Sequence, residues 1–134
     1  MTKSLTGKVA LVTGGSRGIG AASARALAGE GANVAISYVA SPDKAEAVVQ
    51  ELKASGVEAR AFKADQASST EVVQLVKDVA RHFGRLDILV NNAGVVAGGA
   101  VDDPNGDTAA LARQDAINVH GVTTAIRAAS QLMG

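Results

Sequence analysis

The segment Thr13-Gly14-Gly15-Ser16-Arg17-Gly18-Ile19-Gly20 sets glycines at a G-x-x-x-G-x-G spacing (Gly14, Gly18, Gly20) among short hydroxyls and one guanidinium. None of these side chains is a strong general acid, general base or nucleophile. The chemistry available to them is anion binding by the backbone. Glycines allow a tight turn and a close approach of the main chain to a bound group. A helix that opens within the run presents unpaired N–H groups and a positive dipole end. A pyrophosphate fits that description. The segment is not a nucleoside-triphosphate loop of the Walker type, because no Lys-Ser or Lys-Thr pair follows its glycines. The alternative is a glycine-rich turn with no ligand, and the flanking elements decide between the two.

Those elements alternate. Lys8 to Val12, Asn33 to Ser37, Ala59 to Lys63 and Leu86 to Val90 read as strands, and none alternates cleanly between polar and apolar, so each is expected to be covered on both faces. Between them lie helical patterns. Gly18 to Glu30 is Ala-rich and stops at Gly31. A second helix starts at Ser41 as N-cap, with Pro42 and Asp43 in its first turn, carries Ala45, Val48, Val49 and Leu52 on one face, and ends at Gly56. A third opens at Ser68 with Glu71 in a capping box, buries Val72, Val76, Val79, Ala80 and Phe83, and ends at Gly84. After a polar loop from Gly98 to Gly106, a last helix is expected from about Asp107 to Met133. The order β-α-β-α-β-α-β-α implies a parallel sheet with right-handed crossovers. The expected fold is α/β, a Rossmann-like doubly wound sheet of four strands in the order 3-2-1-4 with flanking helices. Its switch point, between the first and fourth strands, is where such sheets bind ligands. The glycine segment sits there, after a strand and before a helix, as a dinucleotide site requires.

The second strand's end helps to choose the nucleotide. Folds that prefer NAD place an acid there, against the ribose 2′-hydroxyl. Here the residues are Ser37-Tyr38-Val39-Ala40-Ser41, without an acid. Arg17 can pair with a 2′-phosphate, and Ser37, Tyr38 and Ser41 can add hydroxyls, so NADP is expected over NAD. The alternative for Arg17 is a solvated side chain.

T-G-x-x-x-G-x-G after the first strand, with Asn91-Asn92-Ala93-Gly94 after the fourth, resembles the classical short-chain dehydrogenase/reductases, and among them the bacterial 3-oxoacyl-carrier-protein reductase-like members. The resemblance runs over essentially the whole chain. It implies that Gly14, Ser16, Arg17, Gly18, Ile19 and Gly20 surround the cofactor phosphates. It implies that Asp65 bonds the adenine amino group with Gln66 beside it, and that Asn92, Ala93 and Gly94 touch the adenosine ribose. Asn118 matches the family's catalytic asparagine, which holds a water in the proton relay. Taken without the family, Asp65 could solvate a strand–helix loop, Asn91 to Gly94 could be an ordinary turn, and Asn118 reads as a polar residue on an exposed helix face.

The family's proton chemistry needs a tyrosine with a lysine four residues later and an upstream serine. The only tyrosine is Tyr38, and position 42 is proline. Ser130 falls in a helix and lacks the strand context of the family's serine. Residues 1–134 are therefore expected to form one dinucleotide-binding domain, incomplete relative to the family and stopping before its fifth strand. Leu86 to Val90 then leaves an apolar edge, which invites a second copy or another partner. Two readings follow: the cofactor half of an NADP-dependent reductase of ketones or 3-oxoacyl thioesters, or a non-catalytic module that binds nucleotide or self-associates. In the first, the partner is a small carbonyl or alcohol substrate.

Composition narrows the field further. Thirteen basic residues balance thirteen acidic ones, which gives no general attraction to nucleic acid or anionic lipid. With no cysteine and only His82 and His120, a metal site is not expected. Asp102, Asp103 and Asp107 lie in a polar stretch without a supporting constellation. The apolar run Val9 to Val12 is too short for a signal peptide or a membrane span, so a cytoplasmic location is expected. A hydrophobic share of 47% with three aromatics among 134 residues points to a core of Val, Leu, Ile and Ala.

Overall fold

The computed structural model describes residues 3–16, 18–93 and 121–133. Four parallel strands, β1 (Val9–Val12), β2 (Asn33–Tyr38), β3 (Ala59–Lys63) and β4 (Ile88–Val90), form a sheet in the order β3-β2-β1-β4. The helices are α1 (Gly18–Gly29), α2 (Pro42–Ala54), α3 (Ser69–Phe83) and α4 (Val122–Ser130). This is the expected doubly wound topology. The last helix is seen only from Val122; its expected start near Asp107, the loop from Gly98 to Gly106 and the aspartates within it lie outside the described residues.

Alternation along the central strands divides the core. Val12, Val34 and Ile36 pack with α1 and α2 on one face, while Val9, Leu11 and Ala35 pack with α3 and α4 on the other. Because β1 is buried along its whole length, it carries no polar face, as a strand covered on both sides must. α1 buries Gly20, Ala21, Ala24 and Ala28, a stripe of small residues that seats the helix closely on the sheet. Leu75 joins the buried stripe of α3, whereas Ala80 and Phe83 are only partly buried.

The ends of the helices differ from expectation in two details. Ser41 occupies the N-cap of α2, but its side chain makes no capping bond. Its carbonyl accepts the Ala45 N–H, and Pro42 at the first turn has no N–H needing a partner. At α3, Ser68 Oγ accepts the Glu71 N–H at 3.3 Å, which is half of the box. The returning Glu71 carboxylate takes the Asp65 N–H instead, because the Ser68 N–H already donates to the Asp65 carbonyl. Gly84, at φ 84°, closes the helix as read from the sequence.

β4 begins at Ile88 rather than Leu86. Just before it, Asp87 braces the strand to β1. Its Oδ2 accepts the Val9 N–H at 2.9 Å, and its own N–H donates to the Val9 carbonyl at 2.9 Å. Arg85 grips the same carboxylate through Nε and Nη2, both at 2.8 Å. The guanidinium holds Asp87 below the usual carboxylate range, against the opposing effect of partial burial. Among the described residues β4 pairs only with β1, so it is the last strand of the described sheet.

Candidate nucleotide site at the end of the first strand

The chain leaves β1 into a turn whose first three amides are all engaged by neighbouring strands. Thr13 N–H donates to the Val90 carbonyl at 3.0 Å. Gly14 N–H donates to Ser37 Oγ at 3.1 Å, and Gly15 N–H to the Ser37 carbonyl at 3.1 Å. The glycine run is thus tied to β4 on one side and β2 on the other before α1 begins.

Thr13 is the hub of this junction, a role that the sequence reading did not assign. It is fully buried. Its Oγ1 accepts the Asn92 and Ala93 N–H groups at 3.0 and 3.1 Å and lies 3.4 Å from the Val90 carbonyl as donor. Asn92 returns the connection, its Nδ2 donating to the Gly14 carbonyl at 3.0 Å. A hydroxyl at the end of an otherwise apolar strand was the available signal, but its partners lie about eighty positions away in sequence and depend on the β1–β4 register.

Crowding and conformation explain the glycines separately. Gly14 and Gly18 have φ of 65° and 59°, a region that side-chain-bearing residues disfavour. At Gly15 a Cβ would lie 2.5 Å from Ile36 Cγ2, and at Gly20 it would overlap the Gly14 carbonyl oxygen and Asn92 Nδ2. A Cβ on Gly18 would meet nothing within 4 Å. The crowding therefore lies on the sheet side of the turn, while the side at Gly18 is open. Beyond Gly15 the sheet offers no partners. Among the described residues, no carbonyl or side chain takes the amides of Ser16, Gly18 or Ile19, and the first turn of α1 cannot satisfy its own. These amides and the positive end of the helix leave a corner with the chemistry to receive an anion. Ile19, 79% exposed, stands at its rim.

The other expected residues distribute around this corner. Ser37 is buried with its hydroxyl turned inward to Gly14, and Tyr38 is half-buried against the α1–α2 side of the core. Asp65 Oδ1 accepts the Ala67 N–H at 2.9 Å. Gln66 is 3% exposed and its Nε2 has no hydrogen-bond partner. A buried amide left so costs about 1–3 kcal/mol, which fits a site that awaits a polar group. Arg17, Gly94 and Asn118 lie outside the described residues, as does His120. His82 is exposed and takes an Arg60 guanidinium N–H region at 3.0 Å on its Nδ1, far from the corner in the fold. Among the described residues no cluster of three potential metal ligands occurs, and no helix is long and apolar enough to cross a membrane. The residues present fit a dinucleotide: two positive-φ glycines, an open face at Gly18 and, among the described residues, first-turn amides and a buried Gln66 Nε2 without partners.

A doubly wound sheet with this corner at its switch point defines a dinucleotide-binding α/β protein. The short chain dehydrogenase family model matches residues 8–134, and the chain belongs to that family. It is 57% identical over 88 residues to a 3-oxoacyl-acyl-carrier-protein reductase, FabG, of Staphylococcus epidermidis, a match covering 66% of this chain and 36% of that protein. An uncharacterized oxidoreductase of Methylorubrum extorquens is 44% identical over 130 residues, covering 97% of this chain and 52% of the relative. The structure of a short chain dehydrogenase from Burkholderia cenocepacia in complex with NADP superposes with a TM-score of 0.93 at 48% identity, covering 97% of this chain and 52% of that one. The chain thus spans about half the length, or less, of the relatives it matches.

Proposed function

We propose that this chain supplies the NADP-binding half of a reductase that converts a ketone or a 3-oxoacyl thioester to the alcohol. The observation that carries the reading is the corner of unpartnered amides at Ser16, Gly18 and Ile19, opened by the positive-φ glycines and anchored to β2 and β4. The NADP complex of the Burkholderia relative supports the choice of nucleotide. In this reading Gly14, Ser16, Arg17, Gly18, Ile19 and Gly20 surround the phosphates. Arg17 and Tyr38 meet the 2′-phosphate end, and Ser37 holds the turn beneath it. Asp65 and Gln66 meet the adenine, and Asn92, Ala93 and Gly94 shape the ribose floor. Asn118 positions a water of the proton relay. The nicotinamide, when bound, supplies the hydride. The proton donor of that reaction is not among the residues of this sequence, since Tyr38 is its only tyrosine and Pro42 stands where the paired lysine would be. Closure of the β4 edge by a second copy, or by another part of the assembled enzyme, belongs to the same reading.

Calorimetric titration of the chain with NADPH and NADH tests it. NADPH binds more tightly than NADH, and Arg17→Ala weakens NADPH by about 1.5–3 kcal/mol, the range of a charge-assisted bond, with a far smaller effect on NADH. No binding of either nucleotide overturns the reading. Equal losses for both overturn the assignment of Arg17 to the 2′-phosphate.

A further inference from the structure

Ser37 holds two successive amides of the glycine turn, one with its side chain and one with its main chain. Its Oγ accepts the Gly14 N–H and its carbonyl accepts the Gly15 N–H, each at 3.1 Å. It is only 2% exposed, so solvent cannot take over the side-chain role. Gly14 is also fixed on its other side: its carbonyl accepts from Asn92 Nδ2, and its Cα faces Ala93 so closely that a Cβ would lie 3.0 Å from the Ala93 Cα. Two strand ends therefore grip one peptide, and that peptide aims the amides that follow. The neighbouring residue Ile36 sets the same turn by contact, leaving no room for a Cβ at Gly15.

We infer that Ser37 is a positioning residue for the pyrophosphate, acting through the Gly14 and Gly15 amides, and does not read the 2′-phosphate. The inference rests on the nucleotide reading above and assigns Ser37 to the diphosphate part of the ligand. It replaces the hydroxyl donor to the 2′-phosphate expected from the sequence with a buried acceptor for Gly14. A chain lacking that acceptor leaves the part-buried Gly14 N–H without its partner, and the turn shifts to bring it to water. The shift misplaces the Ser16, Gly18 and Ile19 amides, while the groups around a 2′-phosphate stay where they are.

The test uses two fragments, ADP for the diphosphate and 2′-AMP for the other end, titrated calorimetrically into the full chain and its variants. Ser37→Ala weakens ADP about tenfold, leaves 2′-AMP within about twofold, and Ser37→Thr, which restores the hydroxyl, recovers most of the ADP affinity. Unchanged ADP binding by Ser37→Ala, or proportional loss of both fragments, overturns the inference. Failure of the unaltered chain to bind ADP at all overturns the nucleotide reading instead. Amide hydrogen exchange on the unaltered chain gives a second measurement that no folding defect can confound. Gly14 and Gly15 exchange slowly with or without ADP, whereas Ser16, Gly18 and Ile19 exchange fast and slow down when ADP binds. Fast exchange at Gly14 in the free chain contradicts the role given to Ser37.

Discussion

Replacing Thr13 by valine removes one hydroxyl and almost no volume. The site is fully buried, so the isosteric side chain refills the space without a cavity. The Val90 carbonyl keeps its bond from the Thr13 N–H at 3.0 Å, and loses only the 3.4 Å approach of the hydroxyl. The damage falls on the Asn92 and Ala93 N–H groups, which lose the acceptor that they share. An unsatisfied buried N–H costs about 1–3 kcal/mol, and two in a dry core would approach the sum. Both residues are half-buried and both bonds only part-buried, so the expected loss is about 2 kcal/mol, below the sum for two fully buried groups. With a urea m-value of about 1–3 kcal/mol/M for a chain of this size, the unfolding midpoint falls by roughly 1 M at unchanged m. Thr13→Ser, which keeps the oxygen, stays much closer to the unaltered chain. Amide exchange at Asn92 and Ala93 accelerates in the valine variant alone. A midpoint that moves by less than a quarter of the expected shift, or a serine variant as unstable as the valine one, would refute Thr13 as the joint between β1 and β4.

Two further outcomes can be read from thermal melts. Gly20→Ala and Gly29→Ala make the same change in the same helix with opposite signs. At Gly20 the methyl overlaps the Gly14 carbonyl and Asn92 Nδ2, so overpacking and a lost hydrogen bond together cost about 2–4 kcal/mol; at Gly29 it meets nothing within 4 Å and gains about 0.5–1 kcal/mol from helix propensity. Equal effects would remove the packing explanation for Gly20. For Asp87, the Arg85 guanidinium lowers the folded-state pKa. The stabilisation is therefore present above the unfolded carboxylate value of about 3.9 and is lost as pH falls through the lower folded value. Between pH 6 and pH 3 the unaltered chain loses more of its melting temperature than Asp87→Asn, which keeps an acceptor for Val9 N–H but has no charge to titrate. Comparison with that variant is needed because Glu51, held down by its exposed pair with Arg25, titrates in the same direction. Parallel pH profiles would mean that the Asp87 brace has no electrostatic part.

The features legible in the sequence are those set by local pattern. Apolar runs such as Val9–Val12 and helical stripes such as Val72, Val76 and Val79 define element type and order, and the glycine spacing marks the turn. Features that depend on register were not legible. Nothing local tells that Ser37 turns its hydroxyl inward to Gly14, twenty-three positions away, or that Thr13 gathers two amides from beyond β4. The same limit applies at the helix ends. Ser41 and Glu71 have the right residue types for capping, yet the Asx-type turn at Asp65, with Ala67 N–H on Oδ1, claims the neighbouring groups and redirects Glu71. Leu86 reads as strand by composition, but strand pairing to β1 begins one residue after Asp87 has already bonded Val9 through its side chain.

The position of the corner follows from where the sheet runs out of partners. β1 lies between β2 and β4, so the residues just past its end still find acceptors on both sides, and Thr13, Gly14 and Gly15 use them. β2 ends at Tyr38 and β4 at Val90. The amides of Ser16, Gly18 and Ile19 have left the sheet, find no partner among the described residues and cannot yet be served by the helix. At Gly20, on the sheet side of the turn, there is no room even for a Cβ beside the Gly14 carbonyl and Asn92 Nδ2. A strand at the sheet edge would have lost this double anchor, and a helix starting one turn earlier would have turned the same amides into its own hydrogen bonds. The central place of β1 and the delayed start of α1 are thus sufficient to leave backbone donors unpaired at the end of β1, the arrangement on which the proposed phosphate site rests.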